Sequence, residues 1–203
     1  MNDNRRGALV ADLDGTLLMG NSLKWILKAG LKRLLQRGRI KSFFKVLSLG
    51  GLSWFGLISH ETMKYGALRI FGDDRKLMEE MHRLGHERSN VRVHRLIDDA
   101  ADRDDRILVA TAASESYVEE LWAGEYLASP FGGPDLRGER KSEAVERWLK
   151  ANDLRFDVFL TDHYHDLPLA RLASREGAHI YLVRPSKKSR ALFDKAGIKY
   201  TLL

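Results

Sequence analysis

Residues 8–17 read Ala8-Leu9-Val10-Ala11-Asp12-Leu13-Asp14-Gly15-Thr16-Leu17, an apolar run that stops at two carboxylates on a glycine. The run Ala8 to Asp12, bounded by that turn signal, predicts a short buried strand over 8–12. In Asp12-x-Asp14, one carboxylate can attack as a nucleophile while the other gives and takes protons. Asp-Gly is also ordinary turn chemistry, so the pair alone leaves both readings open.

Downstream the pattern first turns helical. Asn21 or Ser22 can cap a helix whose apolar face is Leu23, Ile26, Leu27, Leu31, Leu34 and Leu35, with Lys24, Lys28 and Lys32 on the other side and Gly38 as its stop. A second helix is expected from Ile40, interrupted at Gly50-Gly51, and two more fit 59–71 and 74–88. After residue 90 strands and helices alternate: a helix at 93–101, a strand at 106–111, a helix at 115–123 and a weak strand or loop near 125–129. A helix at 141–151, a strand at 157–161, a helix at 167–175 and a strand at 178–183 follow. That alternation predicts an α/β fold with a parallel sheet covered on both faces. Ligands of such sheets bind beyond the carboxyl ends of the strands. Those ends hold Asp12 and Asp14, then Thr111, then Asp162 and Asp166, while Lys141 opens the helix before the fourth strand.

Composition narrows the chemistry. The 203 residues contain no cysteine, which excludes disulfide scaffolds, thiol nucleophiles and Cys-based metal centres. No run of about 20 apolar residues is present to span a bilayer. Met1 to Gly7 is polar and basic, with no apolar signal core, so the expected location is the cytosol, with the inner face of the membrane as a peripheral alternative. His163 and His165 flank the late acids but lack further soft ligands, so they read as site rim or structure rather than a zinc site.

The four strand-end signals, in this order, resemble the haloacid dehalogenase superfamily, and the resemblance covers essentially the whole chain. Asp12-Leu13-Asp14-Gly15-Thr16-Leu17 is similar to its first motif and Ile107-Leu108-Val109-Ala110-Thr111 to its second. Lys141 is similar to its third, and Thr161-Asp162-His163-Tyr164-His165-Asp166 to its fourth. The resemblance implies a three-layer Rossmann-like core, 1–16 and 91–203, with a helical cap inserted at 17–90, as in the phosphoserine phosphatase-like branch. It further implies Mg²⁺-dependent hydrolysis of a phosphomonoester through an aspartyl-phosphate. Asp12 would be the nucleophile and Asp14 the acid and base. Thr111, the amides of Ala112 and Ala113, and Lys141 would hold the phosphate. Asp12, the Asp14 carbonyl, Asp162 and Asp166 would hold the metal, with Asp166 in an outer shell. Arg184 stands where the family usually has Asn, and His163 where Ser or Gly is common.

The cap, read for substrate, departs from phosphoserine phosphatases. Those place a Glu after the first motif, and the matching position here is Asn21, so phosphoserine is not expected. Net charge is +6, and the whole excess lies between Gly15 and His60. Eight basic residues stand there, Lys24, Lys28, Lys32, Arg33, Arg37, Arg39, Lys41 and Lys45, with no acid. Phe43, Phe44, Val46, Leu47, Leu49, Leu52, Trp54, Phe55, Leu57 and Ile58 follow as an apolar cluster. That cluster is either the cap's own core or, with the basic helix, a surface for an anionic membrane. The second reading is similar to phosphatidylglycerophosphate phosphatases of the same branch. A soluble metabolite ester remains the alternative substrate. Nucleic-acid ends are a weaker one, because the basic residues interleave with aliphatics rather than stacking aromatics. Asn21, Lys24 and Lys28 are the cap's candidate substrate contacts.

Overall fold

The computed structural model describes residues 5–203; Met1 to Asn4, part of the expected core segment and of the stretch read for a signal core, lie outside the described residues. One parallel sheet contains β1 (Arg6–Ala11), β2 (Arg106–Ser114), β3 (Tyr126–Ser129), β4 (Leu154–Thr161), β5 (His179–Leu182) and β6 (Thr201–Leu202), in the order β3-β2-β1-β4-β5-β6. β1 is central, with Ala11 opposite Val109 on β2 and Leu160 on β4. The order reverses at β1, so the crevice beyond its carboxyl end lies between β2 and β4. That is where the Asp12 turn leaves the sheet.

Four helices follow β1: α1 (Ser22–Gln36), α2 (Ile40–Trp54), α3 (His60–Phe71) and α4 (Arg75–Glu87). Five more accompany the later strands: α5 (Val91–Asp102), α6 (Glu115–Val118), α7 (Glu139–Ala151), α8 (Leu167–Arg175) and α9 (Lys187–Lys195). Side chains alternate across a strand, so β1 feeds two cores. Leu9 and Ala11 pack with α5, α6 and the α1–α4 helices; Ala8 and Val10 pack with α7, α8 and α9. The first core runs without a break from the sheet into the inserted helices through Leu17, Leu18, Ile26 and Tyr65.

The chain crosses between sheet and helices on two adjacent strands of loop. Leu18 bridges Ser89, the Asn90 amide donates to the Leu17 carbonyl at 2.8 Å, and the Asn90 side chain donates to the Thr16 carbonyl at 3.0 Å. Gly30 lies inside α1, where glycine costs about 1 kcal/mol against alanine. The Phe71 ring stands where its Cβ would be, so the glycine lets α3 approach closely.

Three details differ from the sequence expectation. The Gly50-Gly51 pair does not interrupt α2, which runs unbroken to Trp54 and ends before Gly56 at φ +71°. Helical hydrogen bonding across the pair outweighs a propensity penalty of about 1 kcal/mol for each glycine. β2 continues three residues past Thr111, and the helix expected at 115–123 is a single turn. β6 at Thr201–Leu202 was not anticipated, because two residues are too few to show a period.

Candidate active site

The first turn is built around a close approach. Gly15 has φ +81°, and a Cβ there would collide with the Asp162 carboxylate. Glycine therefore permits both the left-handed turn after Asp14 and the meeting of the two strand ends. Asp12, Asp14, Thr111, Ala112, Lys141, Asp162 and Asp166 all line one cavity of about 600 Å³, as do Asn21 and Lys24 from α1. Lys28, further along α1, is exposed and does not line it.

Lys141 is buried in the first turn of α7. Its ammonium donates to Asp12 Oδ1 at 2.7 Å and to both Asp166 oxygens at 2.9 and 3.0 Å. Thr161, the last residue of β4, donates its hydroxyl to Asp166 Oδ2 at 2.8 Å. Asp166 thus faces Lys141 and Thr161 and fixes the lysine beside Asp12. Burial works against the ammonium, but Asp12 and Asp166 hold Lys141 above the ordinary lysine range. Burial pushes Asp12 up to about 8, opposed by Lys141 and reinforced by Asp166 and Asp162. Burial, then Asp166, pushes Asp162 up to about 7.

Those shifts describe a charge deficit: one ammonium stands among Asp12, Asp162 and Asp166. Desolvated carboxylates with uncompensated charge fit a hard divalent cation, which favours oxygen ligands. Among the described residues no three acidic or imidazole side chains converge as a metal-holding group. The Asp12 and Asp162 carboxylates, with carbonyl and water oxygens, are donors of the kind Mg²⁺ takes. His163 and His165 line the cavity, and burial lowers both imidazoles.

Asp14 is held by a residue that composition alone did not single out for chemistry. The Ser22 amide donates to Asp14 Oδ1 at 2.8 Å and the Ser22 hydroxyl to Oδ2 at 3.0 Å. Ser22 is the first residue of α1, so the positive end of that helix also faces Asp14. Burial pushes Asp14 up to about 6, and the Ser22 bonds limit the rise. Asn21 uses its side chain to cap α1, accepting from the Lys24 amide at 3.0 Å.

Thr111 and Ala112 sit within β2 rather than at a helix start. The expected pair of free amides is reduced, because the Ala113 amide donates to Thr111 Oγ1 at 3.0 Å. The Ala112 carbonyl accepts from Lys64 at 3.0 Å and from the Ser129 hydroxyl at 2.9 Å, which fixes this peptide plane at the cavity wall.

Lys64 was missed in the sequence. It comes from α3, is 1% exposed, and forms an ion pair with buried Asp135. The signal was present: Lys64 precedes Leu68 and Phe71 by four and seven residues, a charge on the apolar face of its helix. Removing one partner of a buried pair strands the other charge, at about 3–5 kcal/mol. Lys64→Met is expected to lower the thermal midpoint sharply, and Lys64→Met with Asp135→Leu to recover most of the loss. Equal midpoints for wild type and Lys64→Met, read by circular dichroism, would contradict the pairing.

The parallel sheet thus brings the Asp-x-Asp turn of its central strand beside a buried lysine and two further acids in one cavity. The sequence matches the haloacid dehalogenase-like hydrolase family over residues 9–171, and the chain belongs to that family. No curated protein matches it in sequence. Among solved structures, a protein of unknown function from Bordetella pertussis Tohama I superposes with TM-score 0.74 at 18% identity, covering 97% of this chain and 98% of that one. A phosphoserine phosphohydrolase-like protein from Francisella tularensis gives 0.58 at 15% identity over 97% and 94%. A phospho-aspartyl intermediate analogue of phosphoserine phosphatase gives 0.56 at 12% over 93% and 91%. These likenesses show a shared fold.

Proposed function

We propose that the chain is a Mg²⁺-dependent phosphomonoester hydrolase that works through a phosphoryl group carried on Asp12. The observation that carries this reading is the triad Asp12–Lys141–Asp166 opening into the same cavity as the Ser22-held Asp14. Lys141 holds Asp12 Oδ1, leaving the other oxygen to attack phosphorus in line. The P–O bond to the leaving group breaks as the Asp12–phosphorus bond forms, and the departing oxygen takes the Asp14 proton. Water then gives a proton back to Asp14 and attacks phosphorus, which frees Asp12 and inorganic phosphate. An acid raised to about 6 suits both proton transfers near neutrality. Asp12, Asp162 and the Asp14 carbonyl would hold Mg²⁺, which would supply charge neutralisation for a dianionic ester. Lys141 and the Thr111 hydroxyl are the protein's own contributions to the phosphoryl oxygens.

Lys24 and Arg137 bring positive charge to the cavity lining, and the acid beside them, Asp135, already pairs with Lys64 and Arg137. Asn21 caps α1. Among the described residues that line the cavity, the acid outside the Asp12, Asp14, Asp162 and Asp166 group, Asp135, is already paired and not free to receive a substrate amine. This supports an ester without a free ammonium, from soluble metabolites or a lipid head group. The test is phosphate release with Mg²⁺ from a panel spanning aryl phosphates, small metabolite esters, lysophosphatidate and phosphatidylglycerophosphate. No release from any member would overturn the reading.

The charge deficit also predicts a pH effect on stability. The Asp12 and Asp162 carboxyls are raised to about 8 and about 7, so the folded state holds more protons than the unfolded chain until pH passes those values. Stability without metal must then fall as pH rises through this window. From pH 6.5 to 8 the melting temperature in chelator is expected to drop, and Mg²⁺ to reduce the drop. The lowered histidines act mainly below that range. A melting temperature in chelator that rises over the window would contradict the account.

A further inference from the structure

The outer face of α2 is unlike the rest of the surface. Of its 15 residues only Val46 is buried. Phe43 and Leu49 turn inward, Phe43 onto the first core and Leu49 against Gly66 of α3. Ile40, Phe44, Leu47 and Trp54 recur at intervals of four, three and seven, which is one helical stripe, and all are exposed. Phe55 and Leu57 continue it into the following turn. Trp54 is 87% exposed, Phe55 78% and Leu57 70%. The cluster that the sequence left open between cap core and outer surface is thus divided, with its largest side chains outside.

Charge borders the stripe on one side. Lys41 and Lys45 each follow a stripe residue by one position, about 100° round the helix. Both are exposed, and neither forms an ion pair among the described residues. Arg33 and Arg37, by contrast, are engaged by Asp74. The helix carries no acid at all.

We propose that this face of α2, with the turn through Leu57, docks on an anionic lipid surface. An apolar stripe bordered by lysines is the pattern of a helix lying in the membrane interface, aromatic side chains among the acyl chains and ammonium groups at the phosphates. No helix among the described residues is long and apolar enough to cross a membrane, so the contact is peripheral. A second copy of this chain fits less well. Packing the stripe on itself would bring Lys41 and Lys45 toward their own counterparts, with no acid on either helix to receive them.

The experiment is co-sedimentation of the whole chain with phosphatidylglycerol or phosphatidylcholine vesicles at low and high salt. Two variants are run in parallel, Trp54→Ser with Phe55→Ser, and Lys41→Gln with Lys45→Gln. Wild type is expected to pellet with phosphatidylglycerol and not phosphatidylcholine, less so at high salt. A lysine near an anionic surface raises partitioning about fivefold, so the lysine variant should bind about 25-fold more weakly. The serine variant should lose binding at either salt. Every substituted side chain is exposed, so melting temperatures should stay at the wild-type value. Wild type left in the supernatant, or both variants binding as wild type does, overturns the proposal. So does a wild-type dimer in sedimentation velocity that the serine variant abolishes, since that assigns the face to a second copy. Hydrolysis of a soluble aryl phosphate by the same preparations reads the chemistry separately: both variants should retain it, and its absence in wild type would count against the hydrolase reading alone.

Discussion

Replacing Asp12 by Asn is expected to lower phosphate release at least about 10⁴-fold, the scale seen when a covalent nucleophile is removed. The carboxamide keeps the size of the side chain and one oxygen toward Lys141, so the loss belongs to the missing nucleophile. Lys141 keeps both Asp166 oxygens and remains paired. The fold should therefore survive. In the absence of metal it should be more stable above neutrality, because a carboxyl that burial raises to about 8 no longer has to ionise. Turnover of Asp12→Asn near the wild-type rate, measured by phosphate release, would remove Asp12 from the mechanism.

Replacing Asp14 by Asn separates the proton step from the attack. General acid catalysis contributes about 10²–10⁴-fold, and the contribution depends on how poorly the leaving oxygen departs unprotonated. An alkyl phosphate should lose that full factor. An activated aryl phosphate, whose phenolate leaves readily, should lose about tenfold or less in the first step. Hydrolysis of the phosphoryl-Asp12 state also needs Asp14 as a base, so a burst of phenol equal to the enzyme present should precede slow turnover. The same first-step factor for alkyl and aryl esters would show that Asp14 does not handle the leaving-group proton. Ser22→Ala should show a weaker form of the selectivity, since it removes one of the two hydrogen bonds that hold Asp14.

The core of this site was readable because each member lies at a strand end or helix start, where local pattern and chemistry coincide. Asp12 follows an apolar run, Asp162 follows β4, and Lys141 opens α7. Their meeting rests on β1 being flanked by β2 and β4, which alternating strands and helices only imply. What stayed hidden were contacts across the fold. Lys64 and Asp135 are 71 residues apart, and no local pattern joins them. Ser22 was visible as a capping residue but not as the partner of Asp14. Thr111 was read as a strand end, yet β2 runs on to Ser114 opposite Ser129. The α2 face was ambiguous for a related reason. Apolar residues at helical spacing look the same whether or not neighbouring helices cover them, and here α1 and α3 cover only one side.

The most direct test of the account is to trap the covalent state. The protein would be mixed with Mg²⁺ and an aryl phosphate, quenched in acid within the first turnover and reduced with borohydride, which converts an acyl phosphate to an alcohol. Peptide mass spectrometry then locates the modified residue. The account predicts homoserine at position 12 in wild type, a larger yield in Asp14→Asn, and none in Asp12→Asn. Reduction at another carboxylate, or phosphate release with no reducible intermediate in either wild type or Asp14→Asn, would contradict it.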